Sequence, residues 1–251
     1  MLHLKKSYYE DLRYFDETYK RVLAALLILT LILLPFVFGS YLLYMFSLIL
    51  VYLVITMGLN ILIGNAGQLS LGHAAFVAIG AYTTAIISTR FSGIPFVAVM
   101  LIAGFIAVIA SVIVGLPSLR LKFLYLALAT MAFEFIIEEI ILQWRTLTNG
   151  DDGMAVPRAE FFGFIFDSDI KVYYLILGTS LLMILLAKNI MRSNIGRGFE
   201  AIRDSDIAAP VMGINMGRYK LLAFGIGGFY AGIGGALFGY LMRFIGPANF
   251  T

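Results

Sequence analysis

"VLAALLILTLILLPFVFGSYLLYMFSLILVYLVITMGLNILIGNAGQLSLGHAAFVAIGAYTTAIIST", Val22 to Thr89, contains no Asp, Glu, Lys or Arg. A water-facing surface needs charge, and soluble domains keep about 25% of their residues charged. The whole 251-residue chain is 13% charged and 61% hydrophobic, with a mean hydropathy of +0.94. It cannot clothe a globule in polar side chains. The charge-free stretch alone suffices for three membrane crossings at about 20 residues each, so the sequence predicts an all-α, polytopic integral membrane bundle. With no cysteine there are no disulfides and no thiolate metal sites, and the two histidines, His3 and His73, do not make a zinc site of the usual kind.

Seven apolar runs follow one another: Val22 to Phe38, Tyr41 to Ile63, Leu69 to Ser88, Ile94 to Pro117, Leu121 to Leu142, Val172 to Ala187 and Leu221 to Met242. The first is expected to remain as a helix, because its flank has mixed charge and no small-residue cleavage site follows it. Residues 1–21 then form an N-terminal segment and 22–251 the transmembrane domain. With the N-terminus in the cytoplasm and sides alternating, all of the 18 Lys and Arg fall inside except Arg90, Arg145, Arg158, Lys171 and Arg243. That asymmetry is what the positive-inside rule asks for, and Trp144 lies just past the fifth run, where interfacial aromatics belong.

Two connections are long. The outer one, 143–171, carries Asn-Gly and Asp-Gly turn steps in "TNGDDGMAVP". Its "DDG" offers too few regularly spaced oxygens for calcium. The following "FFGFIF" is an apolar patch expected to lie on the membrane surface or on a neighbouring helix. The inner connection, 188–220, predicts one or two short amphipathic helices, with Phe199, Ile202, Ile207, Val211 and Ile214 as apolar positions and Glu200, Arg203, Asp204 and Asp206 as the charged face. Ser205 or Asp206 is a candidate cap for the second helix and Gly213 its candidate end. Passive helix-to-helix links take about 2 to 8 residues, so this one is expected to dock on something.

"GLNILIGNAGQLSLGHAAFVAIGAY", "YLALATMAFEFI", "LTNGDDG" and "IGRGFEAIRDSDIAAPVMGINMGRYKLLAF" together resemble the permease subunits of branched-chain amino acid ATP-binding cassette importers, the second of the two related permeases in particular. The resemblance implies a bacterial or archaeal cell (inner) membrane and four kinds of neighbour. These are cytoplasmic ATP-binding cassette ATPases holding the ATP and Mg, a second permease (paralogue or self), an extracytoplasmic substrate-binding protein, and the lipid bilayer. It implies no cofactor in this chain and no nucleic acid partner. It makes the 192–218 segment a coupling loop, with Arg197, Glu200, Ala201, Arg203, Asp204 and Gly213 as its residues and the Glu200-Ala201 pair as the core of its motif. The family bundle has about ten helices, two or three more than this chain carries. Two positions depart from the pattern: Pro210 stands where a helix-favouring residue is usual, and Glu134 lies one position earlier than the expected acid.

The transport reading gives the polar residues of the opening stretch a purpose. Glycines 58, 64, 67, 72 and 80 permit close helix approach, and Gly64-Asn65-Ala66-Gly67 is suited to breaking a helix. Broken backbone survives at membrane depth only against protein or a wet cavity. Asn60, Gln68, Ser70, His73 and Glu134 are therefore the candidate substrate-pathway residues, the alternative being that they hydrogen-bond helices together. Gly228, Gly232, Gly235 and Gly239 are candidate helix-packing positions, four apart in pairs.

Glu134, Glu138 and Glu139 are costly in lipid; Glu134 lies roughly 18 Å from Lys122 along a helix. They motivate the rival reading, an ion-coupled secondary transporter using Glu134 and Glu138. An enzyme is disfavoured: no glycine directly precedes a lysine, so there is no Walker-type loop, and neither a Cys nucleophile nor an oriented His is present. The solute, whether leucine, isoleucine, valine, urea or another small amide, is not written in these residues.

Overall fold

The computed structural model describes residues 18–91, 93–121, 124–161 and 163–250. The N-terminal residues 1–17, with Lys5, Lys6 and Arg13, lie outside the described residues, as does Lys122. In chain order come α1 (Thr18–Val37) and α2 (Ser40–Leu59), the latter prolonged by a π-helical turn, Asn60–Asn65. Then follow α3 (His73–Arg90), α4 (Phe96–Gly115), a 3-10 turn at Pro117–Leu119, α5 (Leu124–Gln143) and α6 (Arg145–Thr148). Three two-residue strands, β1 (Met154–Ala155), β2 (Glu160–Phe161) and β3 (Phe164–Ile165), precede α7 (Asp169–Arg192). Two short helices, α8 (Asn194–Asp204) and α9 (Ala208–Val211), lead to α10 (Met216–Met242) and β4 (Phe244–Ile245).

Each of the seven apolar runs contributes a helix among the described residues, so the chain is an all-α, multi-pass membrane protein. Among the described residues four helices are long and apolar enough to cross a membrane on their own composition: Ser40–Asn65, Phe96–Gly115, Asp169–Arg192 and Met216–Met242. Val22–Val37 is a shorter apolar helix. The remaining two of the seven expected spans are less apolar, and the reasons are local. Helix α5 carries three glutamates. Helix α3 carries His73, Tyr82, Thr83 and Thr84, all of them buried; a helix sheathed in protein does not need a lipid-soluble surface.

Two compact units divide between Leu43 and Tyr44. In the first, Thr30 Oγ1 of α1 donates to Leu26 O at 2.8 Å, which pairs a hydroxyl that lipid would leave unpaired. In the second, α10 is the hub: 78% of its apolar window is buried, against 44% or less in the other three long helices. Glycine makes this possible. Gly228 and Gly232 lie against Ser111, Ala107 and the Ala103 carbonyl of α4, while Gly235 lies on the Val77 carbonyl of α3. Gly80 of α3 meets the backbone of Gly232 so closely that it could not carry a Cβ unless the two helices moved apart. Gly239 has ordinary contacts, to Val156 and the Ala81 carbonyl.

The connections of this second unit gather at two ends. At one, Arg203 of α8 reaches Gly64 beyond α2, and Leu119 approaches Gly217 at the start of α10. At the other, Arg90 Nη2 donates to Thr146 O at 3.1 Å, and β1 pairs with β4, Met154 opposite Ile245. The "FFGFIF" patch forms the β2–β3 hairpin. Its Phe161 and Phe166 pack edge-on against Phe96 at the head of α4, with ring centroids 5.9 and 5.4 Å away.

Candidate functional site

The end that holds α8 contains the two features singled out by the sequence, a broken helix and an amphipathic loop. Beyond Leu59 the backbone loosens into the π-turn. Ala66 N donates to Ile61 O, Gln68 N to Leu62 O and Gly67 N to Ile63 O, so the regular four-residue ladder ends. Asn65 Nδ2 covers the Asn60 carbonyl at 3.2 Å, and Gly67 turns the chain with φ +66°, a region open to glycine at little cost. The segment then runs inward over α5: Leu71 N donates to Thr130 Oγ1 at 2.9 Å, and Gly72 lies on the Thr130 carbonyl. Thr130 is fully buried. Sequence reading passed it over because a threonine in an apolar run resembles any other span residue.

The candidate pathway residues do not share one environment. Asn60 is exposed, whereas Gln68, Ser70 and His73 are buried. Gln68 Nε2 donates to Ala66 O at 3.1 Å. His73 Nε2 lies 3.3 Å from Ile55 O; a carbonyl only accepts, so this nitrogen carries the proton. Ser70 Oγ and His73 Nδ1 are buried without a hydrogen-bond partner among the described residues. Glu134 is separate from these four. With Glu138 it lines a cavity completed by Ala75 and Ala78 of α3, Ile137 and Ile141 of α5, and Pro247 and Phe250. The space, about 20 Å³ for a water-sized sphere, admits a water and excludes a solute the size of an amino acid. Glu139 points elsewhere and accepts from Gln143 Nε2 at 2.8 Å.

The loop is built in two parts. Ser193 closes α7 and caps α8, its Oγ accepting from Ile195 N at 3.1 Å. One face of α8 is buried through Gly196, Gly198, Phe199 and Ile202. Phe199 stands perpendicular to Tyr219 at 6.2 Å, and Gly198 leaves room for the Tyr219 ring. Arg197, Glu200, Arg203 and Asp204 face out, with Ala201 between the two surfaces. Arg197 bonds Asn194 on its own helix, and Arg203 pairs with Asp204 at 3.2 Å.

Helix α9 is held at both ends. Ser205 Oγ accepts from Ala208 N at 3.1 Å. Gly213, at φ +81°, sends its N–H to Pro210 O at 2.9 Å while Ile214 N reaches Ala209 O at 3.1 Å, the paired bonds of a Schellman stop. Pro210 sits inside the first turn, where its missing N–H costs nothing. Of the one or two short helices expected, two are present, and the apolar positions divide between them. Phe199 and Ile202 are buried, but Ile207 and Val211 are each 84% exposed and Met212 80%, because the break after Asp204 turns α9 away from the bundle.

A multi-pass α-helical membrane protein with a glycine-lined hub helix and a structured loop between its last two long helices is therefore in hand. The chain belongs to the branched-chain amino acid transport system / permease component family, whose model matches residues 41–251. It is 33% identical over 229 residues to the high-affinity branched-chain amino acid transport system permease protein LivM of Escherichia coli (strain K12), covering 82% of this chain and 54% of that one. It is 32% identical over 226 residues to the LivM protein of Salmonella typhimurium, covering 80% and 53%. The chain thus spans about half the length of these curated relatives. No solved structure gives a significant match.

Proposed function

We propose that this chain is a permease subunit of an ATP-binding cassette importer, forming part of the path for branched-chain amino acids or a similar small polar solute. Separate cytoplasmic ATPases would drive it, a second permease would complete the path, and an extracytoplasmic binding protein would deliver the solute. The observation that carries this reading is the division of labour in the 193–215 loop. Helix α8 is locked to the bundle through Phe199 and Ile202, while α9 presents Ile207, Val211 and Met212 to the surroundings on a rigid, doubly capped turn. A lever needs such a fixed end and a free, sticky tip. In this arrangement the exposed Arg197 and Glu200 set register on the ATPase by charge complementarity, and the apolar tip supplies most of the contact. ATP and Mg belong to the partner subunits.

The test is co-purification from the native membrane under mild detergent. The intact chain is expected to bring an ATPase with it. Ile207→Asp with Val211→Asp is expected to lose that ATPase while leaving the chain monodisperse, and Glu200→Ala to weaken the association. If the double variant retains its ATPase in full, the tip is not the docking point. If the intact chain brings none under several detergents, the importer reading fails, and the Glu134 and Glu138 carboxylates become the lead toward ion-coupled transport.

A further inference from the structure

Arg203 sits on the outward-facing side of α8 but does not simply face outward. Its Nη1 donates to the Gly64 carbonyl at 2.9 Å. That carbonyl belongs to the end of the π-turn, and the amides that follow are already committed to Ile61, Ile63 and Leu62. A carbonyl left over at a helix C-terminus carries the negative end of the helix dipole, and a cation placed there is favourable on both counts. Nε and Nη2 of the same guanidinium are held by Asp204 Oδ1 at 3.3 and 3.2 Å, so the fork is aimed before it reaches Gly64. The second contact is steric. A Cβ built on Gly67 would lie 3.1 Å from Arg203 Cγ and 3.3 Å from Arg203 Cα, so the two backbones already touch where Gly67 holds φ +66°.

We propose that Arg203 is a positioning residue that ties the docking loop to the broken end of α2, so that displacement of α8 is delivered to residues 64–72 and through them to α3 and α5. The proposal rests on the reading of the 193–215 segment as an ATPase docking loop. The route onward consists of contacts already described. From Gly64 and Gly67 the chain passes Gln68 to Leu71, whose amide is bound to Thr130 of α5. Gly72 lies on the Thr130 carbonyl, and His73 opens α3. Arg203 thus acts inside the subunit, and α9 acts on the partner. The two roles assigned together from the sequence are separated along the loop by a few residues.

The experiment uses the chain in its assembled complex, reconstituted in proteoliposomes with the binding protein, and reads leucine taken up per ATP hydrolysed. Arg203→Gln is expected to keep the ATPase bound and hydrolysing, yet to lower the uptake-to-hydrolysis ratio about tenfold, within the range of typical coupling effects. Arg203→Lys is expected to recover part of it, since an ammonium reaches the carbonyl but cannot use the Asp204-held fork. The chain has no cysteine of its own, so Gly67→Cys with Arg203→Cys offers a covalent replacement. Its ratio is expected to be low when reduced and higher when oxidised. An unchanged ratio in Arg203→Gln overturns the proposal. So does loss of the ATPase from that variant, which would make Arg203 a docking residue. Absence of any ATPase from the unaltered complex is a different result, the failure of the importer reading itself.

Discussion

Thr130 holds the broken segment to α5 with one hydroxyl, which accepts from Leu71 N and itself donates to Ala127 O at 2.9 Å. Thr130→Val keeps the shape and removes the acceptor. It is expected to lower stability by about 1 kcal/mol, the usual net worth of such a bond, seen as a reduced melting temperature in detergent, whereas Thr130→Ser is expected to behave as the parent. At this scale the sequence was legible where a residue type has one strong use. Gly213 ends α9 and Ser205 caps it because turn stereochemistry and cap geometry are local. His73 and Thr130 are the opposite case. Which carbonyl a buried imidazole meets, or which amide a buried hydroxyl receives, is fixed by neighbours 18 and 59 residues away, and no local pattern encodes that.

Between elements, the governing quantity is how near two backbones come. Gly232 of α10 touches α4 on one side and Gly80 of α3 on the other. Gly232→Val drives its side chain into Ala107, the Ala103 carbonyl and Gly104 of α4 and is expected to cost about 3 kcal/mol, the upper end of the usual range for overpacking, since backbone has to move. Gel filtration with fluorescence detection against temperature would measure it. Gly239→Ala, at ordinary contact distance, is expected to be nearly silent in the same assay. The glycine spacing in the sequence pointed to packing but not to its partners, because pairs four apart mark a stripe without saying which helix covers it. The 188–220 connection was legible as amphipathic. Its apolar positions were not separable into buried and exposed, because a sequence shows that a face is apolar without showing what covers it: Phe199 and Ile202 meet the bundle, and Ile207 and Val211 do not.

For the whole molecule, every apolar run contributed a helix, yet only some helices are apolar enough to cross a membrane unaided. The difference lies in protein neighbours: α3 is buried among α4 and α10, and a hydropathy pattern sees composition without its surroundings. The carboxylates of α5 give the whole-molecule test. If separate ATPases drive transport, Glu134→Gln is expected to leave leucine uptake dependent on ATP and resistant to a protonophore. Uptake by the parent that collapses with the proton gradient, and only while Glu134 can ionise, would favour the ion-coupled alternative. The tip of α9 has a further cost for the cell. Unaccompanied, each copy displays three large greasy side chains on a stiff knob that cannot fold them away, which is the kind of signal that chaperones and proteases act upon. If the tip docks on an ATPase as proposed, orphan copies are expected to be short-lived, and the abundance of this chain to follow synthesis of that partner more closely than its own.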